Sequence, residues 1–269
     1  MNHLNREIAP ITAAAWSEID SEATQTLKVL LAGRKLVDVT GPHGWITSSI
    51  DLGRVDEIKL TSKGGMTVGL RRVQPLVEVR VPFKLPRKEL AAIARGAKDA
   101  DLSCVTNAAK QIARYEDEAV FYGLKAANIQ GIVTGSPHSA LSVDEIYENF
   151  PGQVATAINT LTEQGIDGPF SVVLDMQTYS GITRATQAGG YPLLEQLREE
   201  IDGILVKSPL VQGCVVLSQR GGDFEFSIGQ DFSIGYLEHD ATDVSLYIEE
   251  SFTFKSLTPE AAIALKTVT

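Results

Sequence analysis

Apolar residues recur at helical spacing from Trp16 through Ile19, Ala23, Leu27, Leu30 and Leu31, and the run then stops. That period predicts an amphipathic helix, with Thr12 placed to cap its start and Gly33 to end it. Arg34 and Lys35 follow, near the negative end of the helix dipole. From Trp45 to Phe83 the rhythm changes to alternation. Residues Ile46 to Leu60 read as an outgoing strand, Ser62 to Gly65 as a turn, and Met66 to Phe83 as a returning strand. Met66, Val68 and Leu70 hold even positions, whereas Val73, Val77, Val79, Val81 and Phe83 hold odd ones. A phase switch near Arg71 and Arg72 moves the apolar set to the opposite face, which requires a bulge or a bend. A long ribbon that is apolar on both faces is marginal alone in water. It needs a neighbour, either its own core or another subunit.

Asp101 to Asn128 reads as one helix of roughly 40 Å at ~1.5 Å per residue. Its stripe is Leu102, Val105, Ala109, Ile112, Ala119 and Val120, and Glu116 falls on the same line. A carboxylate there is a catalytic acid of raised pKa, or else it is paired with a basic neighbour or lies at the edge of the contact. No nucleophile or metal ligand lies near it in the chain, which favours the second reading. Residues 131–218 then mix periods. A helix around Gln153 to Gln164 leads to a buried strand at Phe170 to Leu174, a further helix ends at Glu200, and strands lie near Ile204 to Val206 and Cys214 to Leu217. In the stretch Arg220 to Tyr236, Gly221, Gly222 and Asp223 form a turn signal before alternating Phe224, Phe226 and Ile228. A second alternating run holds Val244, Leu246 and Ile248 and continues to Phe254.

Composition narrows the function classes. The 269 residues allow one large domain or two intimate ones. A formal charge of −10 disfavours a protein that holds nucleic acid, because neutralising phosphates requires excess Lys and Arg. No run reaches the ~18 apolar residues of a membrane span. The first residues lack the order of a secretory signal, and a cytoplasmic location is expected. The two cysteines, Cys104 and Cys214, lie in apolar contexts as buried thiols. His3, His43, His138 and His239 show no ligand spacing, and neither a phosphate loop nor a nucleophile elbow is present. No catalytic residue, metal site or cofactor is therefore expected, although a triad assembled from distant residues leaves no such spacing to find.

Several strings are specific as strings: Gly33 to Asp38, Gly41 to Trp45, Arg220 to Tyr236, and the Glu-Ser-Phe-Thr-Phe run ending at Phe254. Together they resemble the linocin-like shell proteins of encapsulin nanocompartments, over essentially the whole chain. The resemblance implies an α+β fold of the Hong Kong 97 phage capsid type. Residues 1–45 would begin a peripheral domain, 46–83 form an extended arm, 84–130 carry the spine helix, 131–218 make an axial domain, and 219–269 complete the peripheral sheet. It further implies a homo-oligomeric icosahedral shell around a guest enzyme, held by the guest's C-terminal tail. The family's usual guests are a dye-decolorising peroxidase or a ferritin-like protein, serving oxidative-stress defence or iron storage.

By the same resemblance, the first helix and the late sheet would form the tail groove, from Leu27, Leu30, Leu31, Arg34, Asp38, Phe232, Ile234 and Tyr236. Asp38 would meet a basic residue of the tail and the aliphatics would form the floor; for each of them the alternative is plain core packing. Gln187, Ala188, Gly189, Gly190 and Tyr191 would border the five-fold pore, with Gly190 where some relatives carry histidine. Lys88 stands where some relatives stack a flavin on tryptophan, so no flavin is expected. The length points to the smallest icosahedral class (T=1, about 60 copies). Two alternatives remain: a phage or prophage capsid protein, disfavoured by the acidic balance and the absence of a long leading segment, and a free-standing hydrolase or bacteriocin.

Overall fold

The computed structural model describes residues 3–58, 67–143, 147–187 and 190–267. The chain begins with α1 (Ala13–Leu30), capped as expected by the Thr12 hydroxyl, which accepts from the Ala15 amide. It continues through β1 (Asp38–Thr40), β2 (Ser49–Ile58), β3 (Val68–Pro75), β4 (Val77–Pro86), α2 (Arg87–Ala94) and α3 (Ser103–Tyr122). A second group follows: α4 (Ile132–Gly135), β5 (Leu141–Val143), α5 (Phe150–Glu163), β6 (Phe170–Leu174), α6 (Met176–Arg184), α7 (Leu193–Glu200), β7 (Leu205–Lys207) and β8 (Cys214–Ser218). The chain closes with β9 (Phe224–Ile228), β10 (Ser233–His239), β11 (Asp243–Ser256) and β12 (Ala262–Thr267).

Two sheets organise these elements. In the first, the long β11 is central. It pairs with β4 along one edge and, in succession, with β10 and β9 along the other, while β1 extends β9 in parallel. Helices α1, α2 and α3 cover one end of it, and their apolar stripes meet Val81, Phe83, Leu85, Val244, Leu246 and Ile248 in one core. The second sheet runs β5-β12-β8-β6-β7. Every residue of β6 and β8 is buried, which suits strands covered on both faces and rich in Val and Leu. The last strand corrects the expected boundaries: β12 pairs with β8 and β5, so residues 262–267 return to the 131–218 sheet instead of completing the first one.

The spine helix is shorter than its sequence implied. It ends at Tyr122, and its 20 residues span roughly 30 Å at ~1.5 Å each. Gly123 stops it at φ +81, where an added Cβ would meet the Ile129 carbonyl at 2.6 Å and the Gly131 amide at 2.7 Å. Residues 125–127 form a separate short turn.

The arm also differs. Strands β2 and β3 form a two-stranded sheet of their own, but the returning chain changes partners at Leu76. Beyond it, β4 leaves the ribbon and joins β11. The expected irregularity is present opposite Arg72, where the register slips between Asp51 and Val55. The extra residues lie in the outgoing strand, around Gly53 at φ +65. The turn expected at Ser62 to Gly65 falls outside the described residues. Along the ribbon Val55 (59 % exposed), Leu70 (62 %), Ile58 and Val73 face solvent, as do Trp45 and Ile46 at its root.

Candidate functional site

The groove residues do not form one open surface. Leu27, Leu31, Ile234 and Tyr236 are buried in the core between α1, α3 and the first sheet. Phe232 is half-buried and packs against the same core. Asp38 lies elsewhere: β1 is paired with β9, which meets β11 at 252–256 and not at the 244–249 stretch that pairs with β10, and the Asp38 carboxylate accepts from the Gly222 amide at 2.6 Å. Four of the eight are therefore packed within the core, and the Asp38 carboxylate braces a turn. Leu30 is the exception. It is half-buried and lines a cleft of about 240 Å³ beside α3.

Arg34 is fully engaged, and its partners are the most ordered polar feature of the region. Its Nη2 donates to Glu116 Oε2 at 2.7 Å, and its Nε lies 2.9 and 3.0 Å from the two oxygens of that carboxyl. Nη2 also reaches Glu250 Oε2 at 3.1 Å, and Nη1 reaches Asp231 Oδ1 at 2.8 Å. The guanidinium lies over Phe232, 4.6 Å from the ring centre. One cation thus ties the chain just after α1 to α3, β11 and the segment entering β10.

Three carboxyls around one guanidinium carry an excess of negative charge, and two of them, Glu116 and Glu250, have fully buried side chains. Burial raises the proton affinity of both. For Glu116 the Arg34 hydrogen bond and charge pull the other way, while for Glu250 the Glu116 charge adds to the rise and Arg34 opposes it. The two carboxyls act on each other in opposite directions, Glu250 lowering Glu116 and Glu116 raising Glu250, and Glu250 Oε1 is buried with no hydrogen-bond partner among the described residues. Of the two, Glu250 is raised the further. Burial alone would lower the Arg34 pKa, but its carboxylate partners outweigh that and the net shift is upward.

Asp117, next along α3, receives the end of α1. Its carboxylate accepts from the Gly33 amide at 2.8 Å and from the Ala32 amide at 3.1 and 3.2 Å. Burial raises its pKa to about 7 against the pull of these amides. Gly33 favours this approach: a Cβ there would meet Val120 Cγ1 at 3.0 Å and Asp117 Oδ1 at 3.2 Å, closer than ordinary van der Waals contact. Its role is close packing, with a backbone outside the left-handed region.

Of the pore-loop residues, Ala188 and Gly189 fall outside the described residues. Gln187 and Tyr191 face each other, the Gln187 amide donating to the Tyr191 carbonyl at 2.9 Å, and Gly190 turns at φ +86. The loop is anchored to α7 twice. Gln187 Nε2 donates to Gln196 at 2.6 Å, and the Tyr191 hydroxyl donates to Glu199 at 2.6 Å. Lys88 is exposed at the start of α2, 3.8 Å from Glu89. Among the described residues no group of three or more His, Cys, Asp or Glu could hold a metal, and no helix is long and apolar enough to cross a membrane.

Glu116 stood out in the sequence as a carboxylate on an apolar stripe, and it is paired. Its partner Glu250 was missed, although two adjacent glutamates in an otherwise buried strand are a readable anomaly.

Comparison with known proteins agrees with this architecture. A family profile described as "Encapsulating protein for peroxidase" matches residues 1–253. A type 1 encapsulin shell protein of Rhodospirillum rubrum is 48% identical over 271 residues, covering 99% of this chain and 97% of its own length. Among solved structures, the virus-like particle from Pyrococcus furiosus superposes with a TM-score of 0.69 at 16% identity, covering 93% of this chain and 99% of that one. A protein of Gordonia phage Cozz gives 0.58 at 13% identity, covering 89% and 87%. At such identities the structural likeness establishes the fold alone.

Proposed function

This chain belongs to the encapsulin shell-protein family, and from that premise we propose that its copies close into a hollow icosahedral shell of the smallest class (T=1, about 60 subunits). The observation that carries the reading is the β2–β3 ribbon. Among the described residues it pairs only with itself, and it leaves Val55, Ile58, Leu70 and Val73 exposed. These side chains are about half exposed, so covering each gains roughly half of the ~1.5–3 kcal/mol of complete burial. A second copy is the nearest cover, and heterologous contacts between unlike patches close into rings when the rotation allows it. The role is structural.

Within the shell a guest enzyme is held by its C-terminal tail on the α1 face, and the relatives' profile, described as encapsulating a peroxidase, favours a peroxidase over a ferritin-like guest. Small solutes pass at the loop that contains Gln187, Gly190 and Tyr191. Many weak tail sites on one shell act together, so each need not be tight. The particle resides in the cytoplasm. Purification from the native host tests all of this. Negative-stain images should show uniform hollow particles, and mass spectrometry should find one co-purifying enzyme in every preparation. A dispersed monomer, or particles without a guest, would refute the respective half.

A further inference from the structure

The cleft beside Leu30 has a chemistry of its own. Its wall is aliphatic: Leu30 from the last turn of α1, Ala113 from α3, and Pro209 with Leu210 from the segment between β7 and β8. Two cations frame it, Lys110 and Arg114, one helical turn apart on α3. Both are exposed, and neither has a hydrogen-bond or ion-pair partner among the described residues. For Arg114 this departs from most other arginines, which are paired with a carboxylate or a backbone carbonyl; Lys110 adds a second positive charge one turn away. Asp117 also lines the cleft, but its carboxylate is turned to the Ala32 and Gly33 amides and is occupied there. An occupant that satisfies the whole arrangement needs an aliphatic group and, immediately next to it, a negative charge.

We propose that this cleft seats the carboxyl terminus of a peptide whose last side chain is aliphatic. A chain terminus is the one peptide feature in which a carboxylate sits on the same carbon as the side chain. An internal acidic residue would have to bring its apolar neighbour from a separate position. The volume, about 240 Å³, equals roughly eight waters at ~30 Å³ each, room for one such residue and not for a folded element. The terminal carboxylate lies between Lys110 and Arg114, where Arg offers a fork that fits it bidentately. The aliphatic side chain lies against Leu30 and Leu210. This deepens the guest-tail reading above and rests on it: the free end of the tail is what the shell recognises here, in a cleft distinct from the buried residues Leu27, Leu31, Ile234 and Tyr236.

The probe is an octapeptide of glycine and serine ending in two leucines, labelled at its N-terminus and made as the free acid and as the C-terminal amide. Its binding to assembled particles is read by fluorescence anisotropy for the unaltered protein and for Lys110→Gln/Arg114→Gln, two exposed changes that leave packing intact. Amidation should weaken binding to the unaltered protein about tenfold, the scale of one exposed charge-assisted contact. It should make no difference in the double variant. Acid and amide binding alike would overturn the proposal, and so would a double variant that still discriminates. A guest that co-purifies as before would then leave the guest-tail reading standing, whereas particles that never carry a guest remove both. Octanoate binding where neither peptide does would assign the cleft to a small aliphatic acid instead. Particles that bind no probe would mean that a neighbouring copy covers it.

Discussion

Replacing Glu250 with glutamine should leave the protein unchanged in acid and make it more stable in alkali. Glu250 lies fully inside, between β11 and α3, and burial followed by the Glu116 charge holds its proton affinity well above the ordinary carboxyl range. The folded chain therefore keeps a proton that the unfolded chain releases. Between the two pKa values the folded state binds more protons, so stability is complete below the unfolded pKa and falls by ~1.4 kcal/mol per pH unit as pH rises toward the folded one. Glutamine does not titrate. Its carbonyl accepts from Arg34 Nη2, which lies 3.1 Å from Glu250 Oε2, and its amide nitrogen supplies a donor that keeps its protons at every pH. In a chain of this size ~1 kcal/mol shifts the melting temperature by roughly 2–4 °C. Melting curves of the two proteins, followed by dye fluorescence, should coincide near pH 4.5 and separate by roughly 3–5 °C per pH unit above it. Asp117 titrates in both proteins, and because Glu116 interacts with Glu250 the difference reports the titration of that pair. Curves that stay parallel from pH 4.5 to 9, or a variant less stable at every pH, would refute the raised proton affinity of Glu250.

Other substitutions separate packing from recognition. Ile234→Ala should cost about 2–5 kcal/mol of stability, because the side chain is 4 % exposed and belongs to the α1–sheet core; denaturant titration checks this, and unchanged stability with loss of guest would make Ile234 a recognition residue instead. Gly33→Ala should cost about 1–3 kcal/mol, since its Cβ falls 3.0 Å from Val120 Cγ1 and strains the Asp117 contact. Calorimetry showing an unshifted transition would contradict it. Val55→Ser with Leu70→Ser should leave circular dichroism unaltered while native mass spectrometry finds few closed particles. Normal closure would mean that the ribbon's apolar side chains do not mediate contact between copies.

The elements whose burial follows from local period were legible in advance. Trp16, Ile19, Ala23 and Leu27 face the core as their spacing required, and Phe170 to Leu174 and Cys214 to Leu217 are fully buried strands. The helix end at Tyr122 was not, because residues 123–128 include Leu124 and two alanines that fit a helical pattern, and only Gly123 interrupts it. The arm's end was obscured for a similar reason. Strands β3 and β4 alternate almost without a break, and the exchange of partners at Leu76 depends on β11, which lies far downstream. The same distance hid the Arg34 cluster: Arg34 and Glu250 are 216 residues apart, and nothing local announces their contact. Family resemblance located the interesting end of α1 but assigned Leu27, Leu31, Ile234 and Tyr236 to a groove where the structure buries them.

Whether copies of this chain shelter one another's ribbons is tested most directly by a cryo-electron microscopy map of the purified particle. Density for β2 and β3 should lie across an adjacent subunit, with Val55, Ile58, Leu70 and Val73 covered by it. A ribbon folded back on its own subunit, or left bare in a closed particle, would contradict the central claim.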